Sequence, residues 1–263
     1  MSETGVSRYI FRGAKNMKNL MLCLTLLLCA GPVTAQTLTG QEILQKVDAN
    51  MAVDQAVSMS TMIVHGRSGS RTITSKSWNK GRDKAFVEYL SPAREKGKKM
   101  LKLGDKIWTY TPEPTDRIIT ISGHLLRQSV MGSDLSYEDV TENDHLVDLY
   151  DAEVIAEDEI NGQHCYVLQL RAKEQDISYH SRKLWVDSEH WLPLKEERYA
   201  KSGKLLKTIE IIEIFQVAER WYPKKMIFKD VLSSGKGTEY LIDSIEFDVE
   251  VPDHLLTQAA LRK

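Results

Sequence analysis

One short segment of the sequence, GSDLSYED at residues 132–139, brings together side chains that could do chemistry. A serine beside a carboxylate is typical of a hydrolase, and three acids in one loop could hold Ca²⁺ through their oxygens. The segment lacks the G-x-S-x-G pattern, and Ser133 and Asp134 are adjacent, which is poor geometry for a nucleophile and its orienting acid. It also lacks the alternating acids of a known calcium loop. We therefore predict no catalytic residue here.

The rest of the sequence offers no better site for a metal or a cofactor. Its seven histidines are scattered, without an H-x-x-x-H or C-x-x-C pair. No glycine-rich phosphate loop is present. We predict a protein that is not an enzyme and that needs no metal ion or cofactor.

A structural role for the segment is better supported. Ser136 and Asp139 form an S-x-x-D box, and acids in a first helical turn suit its positive end. The apolar residues just before it would give such a helix a face to bury, so the sequence predicts a lid over an apolar space. The lid residues are predicted to be Leu125, Leu126, Met131, Gly132, Ser133, Asp134, Ser136, Tyr137, Glu138 and Asp139.

The surrounding sequence predicts strands that would position this lid. Thr39 and Glu42 have the spacing of a capping box and open one short amphipathic helix. Hairpin turns are indicated at Gly104-Asp105, Asn161-Gly162 and Ser202-Gly203. About ten or eleven strands follow one another without long crossover helices. The fold class is therefore mainly β, an open antiparallel β-barrel or half-barrel, with either an apolar cavity or a packed core inside.

The first 35 residues have the features of a secretory signal peptide. Lys18 precedes an apolar run that ends in Gly31-Pro32, and small residues lead to Ala35, so we predict cleavage after Ala35. Translation could begin at Met17. Leucine precedes both cysteines of the run, which argues against lipid attachment. Residues 36–263 would then be a single exported domain.

Charge excludes one class of partner. The sequence has 35 Lys and Arg against 37 Asp and Glu, a formal net charge of −2. A general nucleic-acid binder needs a basic face, so we predict no nucleic-acid partner. Cys165, the one cysteine after the leader, is predicted to be a buried apolar residue rather than a reactive thiol.

Residues 90–140 closely resemble the LolA-like family of outer-membrane lipoprotein-sorting proteins, and the likeness extends over nearly all of residues 36–263. The motifs that carry the resemblance are Pro92, Lys96-Gly97 with Leu101, Trp-x-Tyr-x-Pro at 108–112, Asp116-Arg117, and the block Met131–Asp139. The resemblance implies a periplasmic carrier that takes acyl chains of lipids or lipoproteins into an apolar cavity for transfer toward the outer membrane. It also implies an inner-membrane exporter and an outer-membrane acceptor as partners.

Within such a fold, strand alternation offers three pairs of cavity residues, and the sequence does not say which face points inward. The pairs are Leu101 and Leu103, Trp108 and Tyr110, and Ile119 and Ile121. Arg117 could contact a lipid headgroup, although a pair with Asp116 is favoured. An alternative function is an accessory module of an exporter of the resistance-nodulation-division type, without lipid carriage.

Overall fold

A computed structural model describes residues 38–66, 69–141, 145–175 and 177–263. The predicted signal peptide and its cleavage site lie outside the described residues. No helix in the described ranges is long and apolar enough to cross a membrane.

The described residues form three helices and thirteen strands. The helices are α1 (Gly40–Met51), α2 (Tyr137–Thr141) and α3 (Leu146–Leu149). The strands are β1 (Gln55–Gly66), β2 (Gly69–Lys80), β3 (Lys84–Ser91), β4 (Lys99–Leu103), β5 (Lys106–Thr111), β6 (Arg117–Ile121), β7 (Tyr150–Ile160), β8 (Gln163–Ala172), β9 (Ser181–Asp187), β10 (Pro193–Tyr199), β11 (Leu205–Val217), β12 (Arg220–Asp230) and β13 (Thr238–Phe247).

All thirteen strands belong to one antiparallel sheet in the order β6-β5-β4-β3-β2-β1-β13-β12-β11-β10-β9-β8-β7. Adjacent strands are mostly joined by tight turns, as the sequence predicts. The sheet is open, with β6 at one edge and β7 at the other. The predicted mainly β, open antiparallel fold is confirmed, with more strands than the ten or eleven expected.

The order of the strands gives one connection an unusual path. β6 and β7 follow each other in sequence but lie at opposite edges, so the chain between them has to cross one face of the sheet. We call residues 122–141 of this connection the strap, and the face that it crosses the inner face. The strap contains two short 3₁₀ turns, Gly123–Arg127 and Val130–Gly132, followed by α2.

Helix α1 covers the inner face near the β7 edge. Its capping box is present as predicted: the Thr39 backbone N–H donates to Glu42 Oε2 at 2.8 Å, and the Glu42 N–H donates to Thr39 Oγ1 at 3.2 Å. The apolar stripe Ile43, Leu44 and Val47 is buried against β7, β8 and β9. The helix therefore stays on the sheet by burying apolar area.

The opposite, outer face of β3–β5 is also covered. The C-terminal turns bring Val251, Leu256 and Leu261 against Phe86 and Leu101, and all five side chains are buried. Both faces of these strands near the β6 edge are therefore apolar, unlike a half-solvated antiparallel sheet.

Gly40→Ala should destabilise the protein. A Cβ at this position would lie 2.5 Å from the carbonyl oxygen of Ala152, a backbone atom of β7. Alanine normally favours a helix by about 1 kcal/mol, but this clash should outweigh it and cost about 1–3 kcal/mol. Urea unfolding would measure the change. Gln45→Ala, on the exposed face of α1, should stay within about 0.5 kcal/mol, and equal stability of the two variants would contradict this packing.

Candidate ligand cavity

A cavity of about 590 Å³ lies between the strap, α1 and the inner face of the sheet. Its volume is within the range of about 300–1,000 Å³ that small-molecule sites occupy. Most of the lining side chains are apolar, and several are flexible methionines. The apolar lining residues include Val47, Met51, Met62, Ile73, Val87, Met100, Val130, Leu135, Val140, Met226, Phe228, Ile242 and Ile245.

The hydroxyl groups of the cavity floor mostly bond to one another. Ser58 and Ser77 are paired across β1 and β2 with their Oγ atoms 2.7 Å apart. Ser60 is paired with Ser75 at 3.0 Å and accepts from the Tyr240 hydroxyl at 2.9 Å. Paired hydroxyls cost less to cover with an apolar ligand than unpaired ones, because their hydrogen bonds are already made.

The wall formed by β9 and β10 carries buried charge. Arg182 Nη1 donates to Glu196 Oε1 at 2.7 Å, and Arg198 Nε donates to the same oxygen at 2.9 Å. Burial disfavours the ionised Glu196 carboxyl, but Arg198 and Arg182 outweigh that and hold its pKa below its usual range. The Arg182 guanidinium also lies over the ring of Tyr150, 4.8 Å from its centroid. All three ionic groups line the cavity.

Asp139 joins the strap to this charged wall. Its Oδ1 accepts from Arg198 Nη1 at 3.0 Å and from the Tyr179 hydroxyl at 2.7 Å, while Lys207 Nζ pairs with Oδ2. The same Oδ2 accepts from the Ser136 backbone N–H at 2.7 Å, so the predicted S-x-x-D box is confirmed. Burial alone would raise the pKa of Asp139, but Arg198 and Lys207 lower it to about 2.

Asp134 anchors the strap a second time, to the β12–β13 hairpin. Its Oδ2 accepts from the Thr238 hydroxyl at 2.8 Å. Its Oδ1 accepts from the Asp230 backbone N–H and from the Ser233 hydroxyl, each at 3.0 Å. The carboxylates of this segment therefore bind the protein's own donors. The described residues also contain no group of three or more His, Cys, Asp or Glu that could hold a metal ion.

Four of the six predicted cavity residues lie on the outer face. Leu101, Leu103, Trp108 and Tyr110 pack in the cluster that the C-terminal turns cover. The reason is the strand period of two: Met100 points into the cavity, so Leu101 and its cross-strand partner Trp108 point away.

The remaining predicted pair and Arg117 belong to edge strand β6. Ile121 is buried beneath the strap, beside the cavity rather than in it, and Ile119 is 38 % exposed. Arg117 is exposed, and the favoured partner, Asp116, pairs instead with Arg262 of the C-terminal turn.

The predicted lid residues lie together in the strap. Leu125, Leu126 and Tyr137 pack on the buried cluster that holds Ile121. The backbone carbonyl of Met131 accepts from Arg71, and Gly132 lies beside the same guanidinium. The Ser133 hydroxyl donates to the Val130 carbonyl at 2.6 Å, and the Glu138 carboxylate accepts from the Ser178 hydroxyl. The contacts of Asp134, Ser136 and Asp139 are those described above.

Sequence reasoning missed the charged cavity wall. Arg182, Glu196 and Arg198 alternate with other residues along β9 and β10, and that pattern is typical of a solvent-exposed strand face. The only available signal is the pair Glu196 and Arg198 two residues apart on one face of a strand that also bears Leu194.

Comparison with known proteins gives consistent results. A family model described as an uncharacterized protein matches residues 81–263. A DUF1329 family protein from Desulfovibrio piger has 24 % identity, with 85 % of this chain and 98 % of that chain covered, and a TM-score of 0.78. A domain from Vibrio parahaemolyticus described as an outer membrane lipoprotein-sorting protein has 25 % identity, 85 % and 98 % coverage and a TM-score of 0.74.

A third similar structure is a LolA superfamily protein from Nitrosomonas europaea. It has 23 % identity to this chain, covers 85 % of this chain and 99 % of its own, and has a TM-score of 0.69. No curated protein is significantly similar to the chain. The structural likenesses extend over essentially the whole length of each neighbour, so the chain shares their complete fold.

Asp139→Asn should destabilise the protein by about 3 kcal/mol or more at neutral pH. The substitution leaves the buried Lys207 without its carboxylate and removes one of the two carboxylates that bind Arg198, while Glu196 remains. Breaking such a buried ionic network typically costs about 3–5 kcal/mol. Urea unfolding would measure the free energy. Glu153→Gln is the matched control, because its partner Arg171 is mostly exposed and the pair should contribute under about 1 kcal/mol. Similar losses in both variants would contradict the anchoring role of Asp139.

The Asp139 carboxylate should also make the free energy of unfolding depend on pH at acidic pH. The pKa of Asp139 falls from 3.8 in the unfolded chain to about 2 in the fold, so its extra stabilisation is present above pH 3.8. It is lost as the pH falls through about 2, and amounts to about 2 kcal/mol. The stability gap between wild type and Asp139→Asn should narrow by this amount on acidification. A gap that stays constant between neutral pH and about pH 2 would contradict the pKa shift.

Proposed function

The chain belongs to the LolA-like family, and from that premise we propose that it binds acyl chains of a lipid or lipoprotein in the cavity under the strap and carries them through the periplasm toward the outer membrane. The observation that carries the proposal is the apolar cavity of about 590 Å³ between strap and sheet. This function needs no covalent chemistry and no cofactor, because the protein only shields the acyl chain from water.

The energetics of such a cavity suit an acyl chain. Each methylene removed from water contributes about 0.8 kcal/mol, so a chain of about 15 methylenes gains on the order of 12 kcal/mol before costs. The methionines Met51, Met62, Met100 and Met226 line the space, and their unbranched side chains adapt to a flexible ligand. The paired hydroxyls of the floor add little penalty to covering it.

The strap is the natural element to open for loading and release. Val130, Leu135 and Val140 form the part of the cavity wall that the strap contributes. Leu135 also lines a second cavity of about 440 Å³. A movement of the strap at Leu135 would join the two spaces. The residues that we propose as the lid are therefore those of the strap, with Asp134 and Asp139 holding it closed.

Native mass spectrometry of protein purified from its own periplasm, followed by lipid extraction, tests this function. The expected result is a discrete added mass that releases phospholipid or an acylated peptide. Protein without added mass should then take up a fluorescent fatty acid. Protein that carries no cargo and takes up no fatty acid would overturn the carrier function and favour an accessory module of an inner-membrane exporter.

Ile245→Glu should weaken fatty-acid binding at least about tenfold, because a carboxylate in the cavity would be buried by the ligand or repel it. Ile245 lines the cavity from β13. Ser244→Glu is the matched control, since the neighbouring side chain is exposed and points to the other side of the strand. Titration of a fluorescent fatty acid would measure both affinities. Equal affinities in two folded variants would place the ligand elsewhere.

A further inference from the structure

The hairpin between β12 and β13 presents two apolar side chains to solvent. Leu232 is 61 % exposed, more than any other large apolar side chain in the described part of the chain, and its neighbour Val231 is 41 % exposed. We call residues 231–237 the tip. A single exposed apolar side chain is ordinary. Val231 and Leu232 are adjacent at the end of a hairpin, so together they form a small protruding apolar surface.

Several hydrogen bonds join the tip to the strands that flank it. The Leu232 N–H donates to Asp230 Oδ1 at 2.8 Å, and the Val231 N–H donates to the Leu206 carbonyl at 2.9 Å. Lys229 Nζ donates to the Ser233 carbonyl at 2.9 Å. Because the backbone N–H groups of Val231 and Leu232 are hydrogen-bonded, docking through these side chains should require less ordering than docking through a loop without such bonds.

Lysines lie on the tip and on the neighbouring turn, while the two acids at the base of the tip, Asp230 and Asp134, accept hydrogen bonds from the hairpin itself. The tip and the adjacent β10–β11 turn, residues 200–204, contain Lys201, Lys204 and Lys236 and no acidic residue. All three lysines are exposed. The two loops are neighbours because β11 pairs with β12, with Lys207 opposite Asp230.

The other end of the same strands has the opposite charge. The turns at 188–192 and 218–219 and the segment 248–250 contain Glu189, Glu219, Asp248 and Glu250, with no lysine or arginine. Because β9–β13 are antiparallel, these segments lie at the far end of the strands from the tip. These charges favour approach of the tip to an anionic surface over approach of the segments 188–192, 218–219 and 248–250.

We propose that the tip docks the protein on an anionic lipid bilayer, with Val231 and Leu232 inserted among the headgroups and Lys201, Lys204 and Lys236 in contact with the phosphates. At an anionic membrane interface, apolar side chains enter the headgroup region and neighbouring lysines are attracted to the phosphates. Each lysine near such a surface contributes enough to change binding several-fold, and salt should weaken that part of the attraction.

Docking at this site would bring the membrane to the strap. Leu232 and Asp230 line the cavity of about 440 Å³, and Leu135 lines both this cavity and the larger one. Asp134 of the strap accepts hydrogen bonds from Asp230 and Ser233 at the base of the tip. A role for docking in cargo transfer rests on the proposed carrier function, whereas docking itself rests on the tip's own surface.

Sedimentation with vesicles tests the proposal. Wild-type protein without cargo should bind vesicles made of equal parts phosphatidylglycerol and phosphatidylcholine, and should bind pure phosphatidylcholine vesicles far less. Replacing Val231 and Leu232 together by serine should reduce binding at least about tenfold. Changing the three lysines to glutamine should reduce it about 100-fold. Both sets are exposed, so the fold should be kept, and circular dichroism would verify it.

Ile155→Ser is the matched control, because Ile155 is an exposed apolar residue on the distant edge strand β7 and its loss should leave vesicle binding unchanged. The proposal would be overturned if the wild-type protein did not bind anionic vesicles, or if the tip variants bound them as well as the wild type. Fatty-acid uptake measured without vesicles separates the two functions: loss of uptake with normal vesicle binding refutes the carrier function and leaves docking standing.

Discussion

The connection between β6 and β7 joins strands at opposite edges of one open sheet, and it must therefore cross the inner face. Near β6 the contact is close, since Leu125 and Leu126 pack on Ile121. Toward the centre of the sheet, Met131 and Leu135 of the strap pack on the buried cluster of β1–β3 that contains Met62, Ile73 and Tyr89. The cavity is the space that remains between the strap, α1 and the inner face. The topology, rather than any special motif, thus creates the candidate site.

The two attachments that hold the strap differ in physical kind. Asp134 accepts hydrogen bonds from neutral donors, Thr238, Ser233 and a backbone N–H. Asp139 lies in a buried ionic network with Arg198, Lys207 and, through Arg198, Glu196. Replacing such a network by apolar residues is often neutral for stability, whereas breaking it is costly. Here the network positions the strap, because Asp139 pairs with Arg198 and Lys207 only when the strap lies against the wall formed by β9 and β10.

Local features of the fold could be predicted from sequence, and features that depend on distant pairing could not. The capping box of Thr39 and Glu42 and the box of Ser136 and Asp139 involve residues three apart, and both form as expected. The inner face of β4 was not predictable, because the C-terminal turns cover one side of this strand and the strap region the other. Leu101 and Met100 are both apolar, and no pattern in the strand says which one faces the cavity.

The two anchors would detach by different physical steps. Asp134 is half-buried and accepts from neutral donors, and each of its bonds can be exchanged for a bond to water at a net cost of about 1.5–3 kcal/mol. Separating Asp139 from its partners would leave the buried charges of Asp139 and Lys207 to be solvated and would remove one of the two carboxylates that bind Arg198. Asp134 is the anchor that contacts the β12–β13 hairpin. A strap that stays fixed at Asp139 and detaches at Asp134 exposes Leu135, the side chain shared by both cavities.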